Sequence, residues 1–212
     1  MSHRAQPVTP ARLVERLVEL VRTLDGRRRW RLAVDGAPPT EPGRLADALV
    51  GPLRAAGRPV ARVSAADFLR PASLRLERGR EDPDAFYDDW LDAPTLAREV
   101  LAPFGPGGTG RYLPSLRDPV LDRATRASYL EAPAGAVLVL DGHLLLGRGL
   151  NIDLTIHLTV RAATLARMTS EPDRWALPAF ARYAGDVAPE LNADVVIRVD
   201  DPRHPAMLVR RA

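Results

Sequence analysis

The stretch WRLAVDGAPPTEPGRLADAL, Trp30 to Leu49, decides how the chain is read. Its opening, Trp30 to Val34, is a short apolar run of the kind that forms a buried strand, and from Gly43 to Ala56 apolar residues return at helical spacing. Strand, loop and helix in that order frame a phosphate-binding loop. Such a loop follows G-x-x-x-x-G-K-[ST]: backbone N–H groups cradle the phosphates, the Lys reaches the outer ones and the hydroxyl faces magnesium. Counted from Gly36, this chain places Glu41 at the second glycine, Pro42 at the lysine and Gly43 at the hydroxyl residue. Pro38, Pro39 and Pro42 carry no N–H, and Glu41 adds a negative charge where phosphates would lie. The frame is kept and its chemistry is not. Thr40 followed by Pro42 reads instead as an ordinary capped helix start.

Outward from this stretch the elements alternate. Leu13, Leu17, Leu20, Val21 and Leu24 share one face of a leader helix over about 10–25, which Asp25-Gly26 stops. After the helix from Gly43, Gly57 ends that segment and Pro59 to Val63 gives a second strand. A polar stretch from Arg70 to Asp92 follows, with Asp82, Asp84, Asp88 and Asp89 close together. Acids of this kind favour a solvated helix start. A helix is expected from Ala93 to about Leu101, and glycine-rich Pro103 to Gly110 as a loop. Ala136 to Leu140 is a continuous apolar run ending in Asp141-Gly142, the pattern of a strand buried on both faces. Leu154–Val160 and Ala193–Val199 supply two further strands, with helical stretches at Ala162–Met168 and Trp175–Val187. The expectation is an α/β fold: one domain over 1–212 with a doubly wound, five-stranded parallel sheet, binding ligands outside the carboxyl ends of its strands.

Composition narrows the function classes. The 212 residues contain no cysteine, and the four histidines, His3, His143, His157 and His204, show no ligand spacing. No apolar run approaches a membrane span and no signal-peptide pattern opens the chain, so a cytoplasmic protein with no membrane partner is expected. All 30 basic residues are arginine, and the net charge is only +3. The arginines are dispersed among nearly as many acids, so nucleic acid is not an expected partner. Arg27-Arg28-Arg29 is the single cluster, read as a solvated cap on the first strand.

The order and spacing of LAVDG, GRLADAL, GRPVARVSAADFLRP, RGREDPDAFYDDW, PFGPGGTGRYLPSLRD, AVLVLDGHLLL and ALPAFARYAGDVAPELNADVVIRVDDPRHP resemble the uridine kinase-like family of P-loop nucleoside kinases, over nearly the whole chain. The resemblance implies a substrate-binding insertion over about 70–130 and a small lid over about 161–190. It also implies transfer of a phosphoryl group from ATP or GTP, with magnesium, to a nucleoside hydroxyl. By the same resemblance, Gly36, Gly43, Arg44, Arg167 and Arg174 stand at nucleotide-binding positions. Asp141 stands at the position that helps hold magnesium. Glu81, Arg111, Tyr112 and Asp118 follow the substrate-side pattern. The catalytic base of the family lies just after the second strand, where this chain reads Ser64-Ala65-Ala66-Asp67-Phe68; Ala66 takes that position and Asp67 is the neighbouring substitute. In the lid, Phe180 and Ala181 replace Gln-Arg. The resemblance with these departures implies a pseudokinase that binds a nucleoside-like ligand or a partner and needs no cofactor. The alternatives are an active nucleoside kinase using Mg and ATP or GTP in altered geometry, and a general ligand- or partner-binding module. A homo-oligomer is compatible with each.

Overall fold

The protein is described here by a computed structural model covering residues 6–210. Among these residues a seven-stranded sheet runs β1 (Gln6–Pro7), β7 (Ala206–Val209), β6 (Val195–Arg198), β5 (Leu154–Thr159), β2 (Trp30–Gly36), β4 (Val137–Gly142), β3 (Val60–Ser64), in that spatial order. The strands from β6 to β3 are mutually parallel and are the five expected from sequence. β7 and β1 extend the β6 edge in antiparallel fashion. Neither was foreseen, because segments of four and two residues carry too little alternation to register as strands.

Helices cover both faces. α1 (Pro10–Arg22) opens with Thr9, whose side chain accepts a bond from the Arg12 N–H, and with Pro10 in its first turn. It buries Leu13, Leu17, Val18 and Val21 beside α2 (Pro42–Ala55) on one face of the sheet. The other face is covered by α3 (Pro83–Asp88) and α4 (residues 93–104) of the insertion and by α6 (Leu177–Asp186) of the lid, α5 (Ala162–Met168) preceding α6 in the chain. β4 explains the two-layer core. Val137 and Val139 face α1 and α2, whereas Leu138 and Leu140 face the insertion. All are sealed from water, and full burial of each such side chain contributes about 1.5–3 kcal/mol.

Three local expectations are corrected. Thr40 does not cap α2; its hydroxyl donates to the Ala37 carbonyl at 2.7 Å and closes a short 3-10 turn, Pro38–Thr40. The residue preceding α2 is Glu41, in the left-handed region at φ 57°, with no side-chain cap. Second, α4 runs on to Phe104, beyond the helix end expected near Leu101 and into the segment read as a loop. A π-helical segment, Ala97–Leu101, leads into the final turn. Pro103 cannot donate to the Glu99 carbonyl, and the Leu113 N–H takes that acceptor at 3.0 Å instead.

Third, the arginine cluster is not solvated throughout: Arg27 and Arg28 are exposed, and Arg29 is half-buried. Arg28 pairs with Asp153 and covers the Trp30 ring, and Arg29 donates to the carbonyls of Ala132 and Gly108. The acids of the polar stretch do open a helix, as expected. Asp82 caps α3 by accepting from the N–H groups of Asp84 and Ala85, both at 2.9 Å. Asp84 and Asp88 bind Arg182 of α6, and Asp89 binds Arg78.

Candidate ligand-binding site

Alternation along the strands sets the chemistry of the sheet's carboxyl edge. In register, Ser64 stands beside Asp141 and Val34 beside Asp141 on the other side. Arg62, two residues before Ser64, therefore shares the face that carries Asp141. Its guanidinium lies among four oxygens: Asp141 Oδ1 at 2.6 Å, Asp47 Oδ1 on α2 at 2.8 Å, the Val63 carbonyl at 2.7 Å and the Gly43 carbonyl at 3.3 Å. A β-carbon added to Gly43 would lie 3.2 Å from Asp141 Oδ2 and 3.8 Å from Arg62 Nη2. The positions implied for the magnesium-facing hydroxyl and for the magnesium carboxylate are thus adjacent, and an arginine stands with them. Sequence reading missed Arg62 because an arginine in a strand carries no local signature.

The loop spends its donors on itself. Thr40 N–H bonds to the Ala37 carbonyl at 2.8 Å and Glu41 N–H to the Pro38 carbonyl at 3.0 Å, while Leu45 N–H bonds back to Glu41. With three prolines lacking N–H and the Thr40 and Glu41 donors engaged, the continuous row of donors that cradles a triphosphate is broken. Gly36 is needed for close packing, since a β-carbon there would come within 2.6 Å of Thr40 Oγ1 and 2.9 Å of Leu158 Cβ. Arg44 turns back to Glu41 at 2.8 Å in a solvent-exposed pair. The residues present do not fit Mg-ATP: prolines interrupt the row of donors, the Thr40 and Glu41 N–H groups are engaged within the turn, the lysine and hydroxyl are replaced, and Asp141 already has its cation. Among the described residues no three His, Cys, Asp or Glu stand close enough to hold a metal ion.

Beside the loop lies a cleft of about 410 Å³ between α2, β3, β4 and the insertion. Asp141, Gly43, Arg44, Ser64 and Ala66 line it on the sheet side, with Phe86, Trp90, His143 and Arg148 opposite. Phe86 stacks on His143 at 5.1 Å and meets Trp90 edge-on at 5.0 Å. Burial holds the His143 imidazole below its ordinary value, with the Arg148 charge acting the same way. Arg148 donates to the carbonyls of Leu144 and Tyr87, and burial lowers its pKa too.

Asp67 does not line this cleft; Ala66 does. Burial raises the Asp67 carboxyl above its usual value, and the carboxylates of Asp141 and Asp118 raise it further. Glu81 is exposed and lies outside the cleft lining. Arg111 covers the Tyr129 ring at 4.1 Å, Tyr112 packs on Phe104, and Asp118 accepts from the N–H groups of Val120 and Leu121. These substrate-side candidates serve the insertion's own structure and do not line the cleft. Arg167 and Arg174 are exposed and likewise outside it. Of the sequence candidates, Gly43, Arg44 and Asp141 come together.

A second polar group went unnoticed in sequence. Asp35, fully buried at the end of β2, stands in register with His157 of β5. Asp35 Oδ2 is 2.7 Å from His157 Nδ1 and accepts from the Tyr183 hydroxyl at 2.9 Å, and Oδ1 accepts from the Leu145 N–H. Burial, reinforced by Asp35, pushes the Tyr183 hydroxyl pKa far up.

No family model and no curated protein matches the sequence. Solved structures do. A protein described as a possible uridine kinase from Bacillus stearothermophilus aligns with TM-score 0.72 and 17% identity, over 88% of this chain and 97% of that one. A fructose transport system kinase described from Silicibacter sp. TM1040 aligns at 0.58 and 25% identity, over 85% and 91%. The D-glycerate 3-kinase of Cryptococcus neoformans aligns at 0.63 and 13%, over 88% and 95%. The sheet order, the flanking helices and these alignments together give the chain the fold of the uridine kinase-like P-loop kinases.

Proposed function

We propose that this protein is a pseudokinase, a small-molecule-binding protein that keeps the kinase fold and has given up Mg-ATP-dependent phosphoryl transfer. The observation that carries this reading is the Arg62–Asp141 pair at 2.6 Å, tied also to the Gly43 carbonyl. A fixed guanidinium supplies the positive charge that Asp141 would otherwise give to a metal, and it offers no vacant coordination position. The aromatic wall of Phe86, Trp90 and His143 supports retention of a binding cleft, because such walls with a few polar groups are what small-ligand pockets use. A nucleoside-like molecule is the ligand class this cleft serves, and no cofactor is required.

Thermal unfolding tests the reading. A ligand at 100 times its dissociation constant stabilises a fold by about 2.7 kcal/mol. Mg-ATP and Mg-GTP at millimolar concentration are expected to leave the melting temperature unchanged, and a nucleoside panel with either donor is expected to yield no phosphorylated product. A nucleotide-dependent shift that requires magnesium overturns the proposal.

A further inference from the structure

The larger cavity of the molecule lies on the other side of the loop. It measures about 630 Å³ and opens between the Ala37–Thr40 turn, the end of β5 and the lid helices α5 and α6. Its walls are mainly apolar, with Leu144, Leu165, Ala166 and Phe180 among them, and His157 and Tyr183 also line it. The turn contributes Ala37 and Thr40 to the lining, and the Thr40 N–H and hydroxyl both bond to the Ala37 carbonyl.

Thr159, Arg161 and Glu190 stand at the cavity's rim, and His157 with Tyr183 supplies buried polar groups. His157 is 6% exposed, and its Nδ1 is engaged by Asp35 at 2.7 Å. Asp35 is itself held by the Leu145 N–H and the Tyr183 hydroxyl, and that hydroxyl accepts from the Leu146 N–H at 3.0 Å. Every member of this network is satisfied except the second ring nitrogen, His157 Nε2, which has no protein partner among the described residues. In the tautomer whose Nδ1–H donates to Asp35, Nε2 is the acceptor of the ring. A ligand N–H or O–H placed opposite Nε2 would complete the network with one more hydrogen bond.

We propose that this cavity is a second ligand site, taking a compact, mainly apolar molecule with a single N–H or O–H group that donates to His157 Nε2. The Asp35–His157–Tyr183 network fixes the ring and so makes the site selective for the donor. The site lies across the loop from the first cleft, with Leu144 between the two cavities.

The histidines permit a direct test, because His143 lines the first cleft and His157 the second. Protein carrying isotope-labelled histidine is titrated with indole and with 1-methylindole, which has the same ring and no N–H. Single His→Gln variants at positions 143 and 204 assign the ring resonances. Indole is expected to shift the His157 ring resonance saturably while His143 stays in place, with 1-methylindole binding about ten-fold more weakly, the usual worth of one hydrogen bond to a buried group. Ala166→Phe fills the cavity from the lid and leaves Asp35, His157 and Tyr183 intact; it should abolish the His157 response. His157→Phe should bring the two indoles to equal affinity. The proposal falls if His157 shows no saturable shift, if His143 responds in its place, if the two probes bind the native chain equally, or if Ala166→Phe binds indole as the native chain does.

Discussion

Arg62 touches three parts of the molecule at once: Asp47 on α2, Asp141 on β4 and the carbonyl of Gly43 at the loop. Its side chain is 23% exposed and that of Asp141 12%, so the pair works largely out of water. Breaking such a pair leaves a carboxylate with no counter-charge, which costs more than the pair itself contributes. Arg62→Leu should therefore lower unfolding stability by about 3 kcal/mol, and adding Asp141→Leu should restore most of the loss. Urea denaturation of the two variants checks both statements. Asp67 gives a second prediction of opposite sign. Its folded pKa is raised from 3.8, first by burial and then by Asp141 and Asp118. A raised acid contributes stability that is full below the unfolded value and is lost as pH rises through the folded value. At neutral pH the Asp67 charge therefore works against the fold. Asp67→Asn should raise the melting temperature at pH 7, and the difference from the native chain should close by pH 3. A variant that melts lower at pH 7 would show that Asp67 makes a favourable contact that outweighs its desolvation.

At the scale of elements, α3 and α6 are joined by side chains. Arg182 of α6 binds Asp84 and Asp88 of α3 as well as Asp186, and its guanidinium covers the Tyr87 ring at 4.2 Å. These pairs are exposed and screened by salt, so they hold the lid to the insertion more than they stabilise the whole fold. Arg182→Ala should speed amide exchange in both 83–88 and 177–186 with little change in global melting temperature. Exchange that rises in only one of the two helices would contradict the clasp. Asp82 caps α3 through two N–H groups, and Asp82→Ala should cost about 1 kcal/mol in urea denaturation. The same elements show what the sequence made legible. Continuous apolar runs such as Val137–Leu140, and helices with periodic leucines, are local signals and were read at the right places. Asp141 was recognised at a strand end, yet its partner Arg62 is 79 residues away. Asp35 and His157 are 122 residues apart and meet only through the register of β2 with β5. Side-chain pairing across a parallel sheet depends on strand order, and periodicity carries no information about that order. The contacts of Arg111, Tyr112 and Asp118 within the insertion were not legible for the related reason that an R-Y…D spacing fits a self-supporting segment as well as a ligand site.

For the whole molecule, the sheet divides the chemistry between its faces. Arg62, Ser64 and Asp141 alternate onto the α2 side, while Asp35 and His157 alternate onto the lid side, and the loop after β2 lies between the two cavities. This arrangement sets what a restored kinase would require. Replacing Pro38, Pro39 and Glu41 with glycine, Pro42 with lysine and Gly43 with threonine returns backbone donors and the two side chains of a phosphate-binding loop. It leaves Arg62 against Asp141, and the new threonine β-carbon would lie 3.2 Å from Asp141 Oδ2. Magnesium demands near-octahedral oxygen ligation and tolerates a neighbouring guanidinium poorly. The restored loop is therefore expected to bind Mg-ATP only after Arg62→Val frees Asp141, as measured by the magnesium-dependent part of the melting shift. Adding Ala66→Asp, which places a carboxylate on the cleft wall, should then raise phosphorylation of a pyrimidine nucleoside by about 10²–10⁴-fold, the usual contribution of a positioned base. If the restored loop binds Mg-ATP equally well with Arg62 in place, the arginine is not the obstacle. If the fully restored chain binds nucleotide and gains nothing from Ala66→Asp, the base must be sought at Asp67, whose raised carboxyl lies one residue further along the same turn.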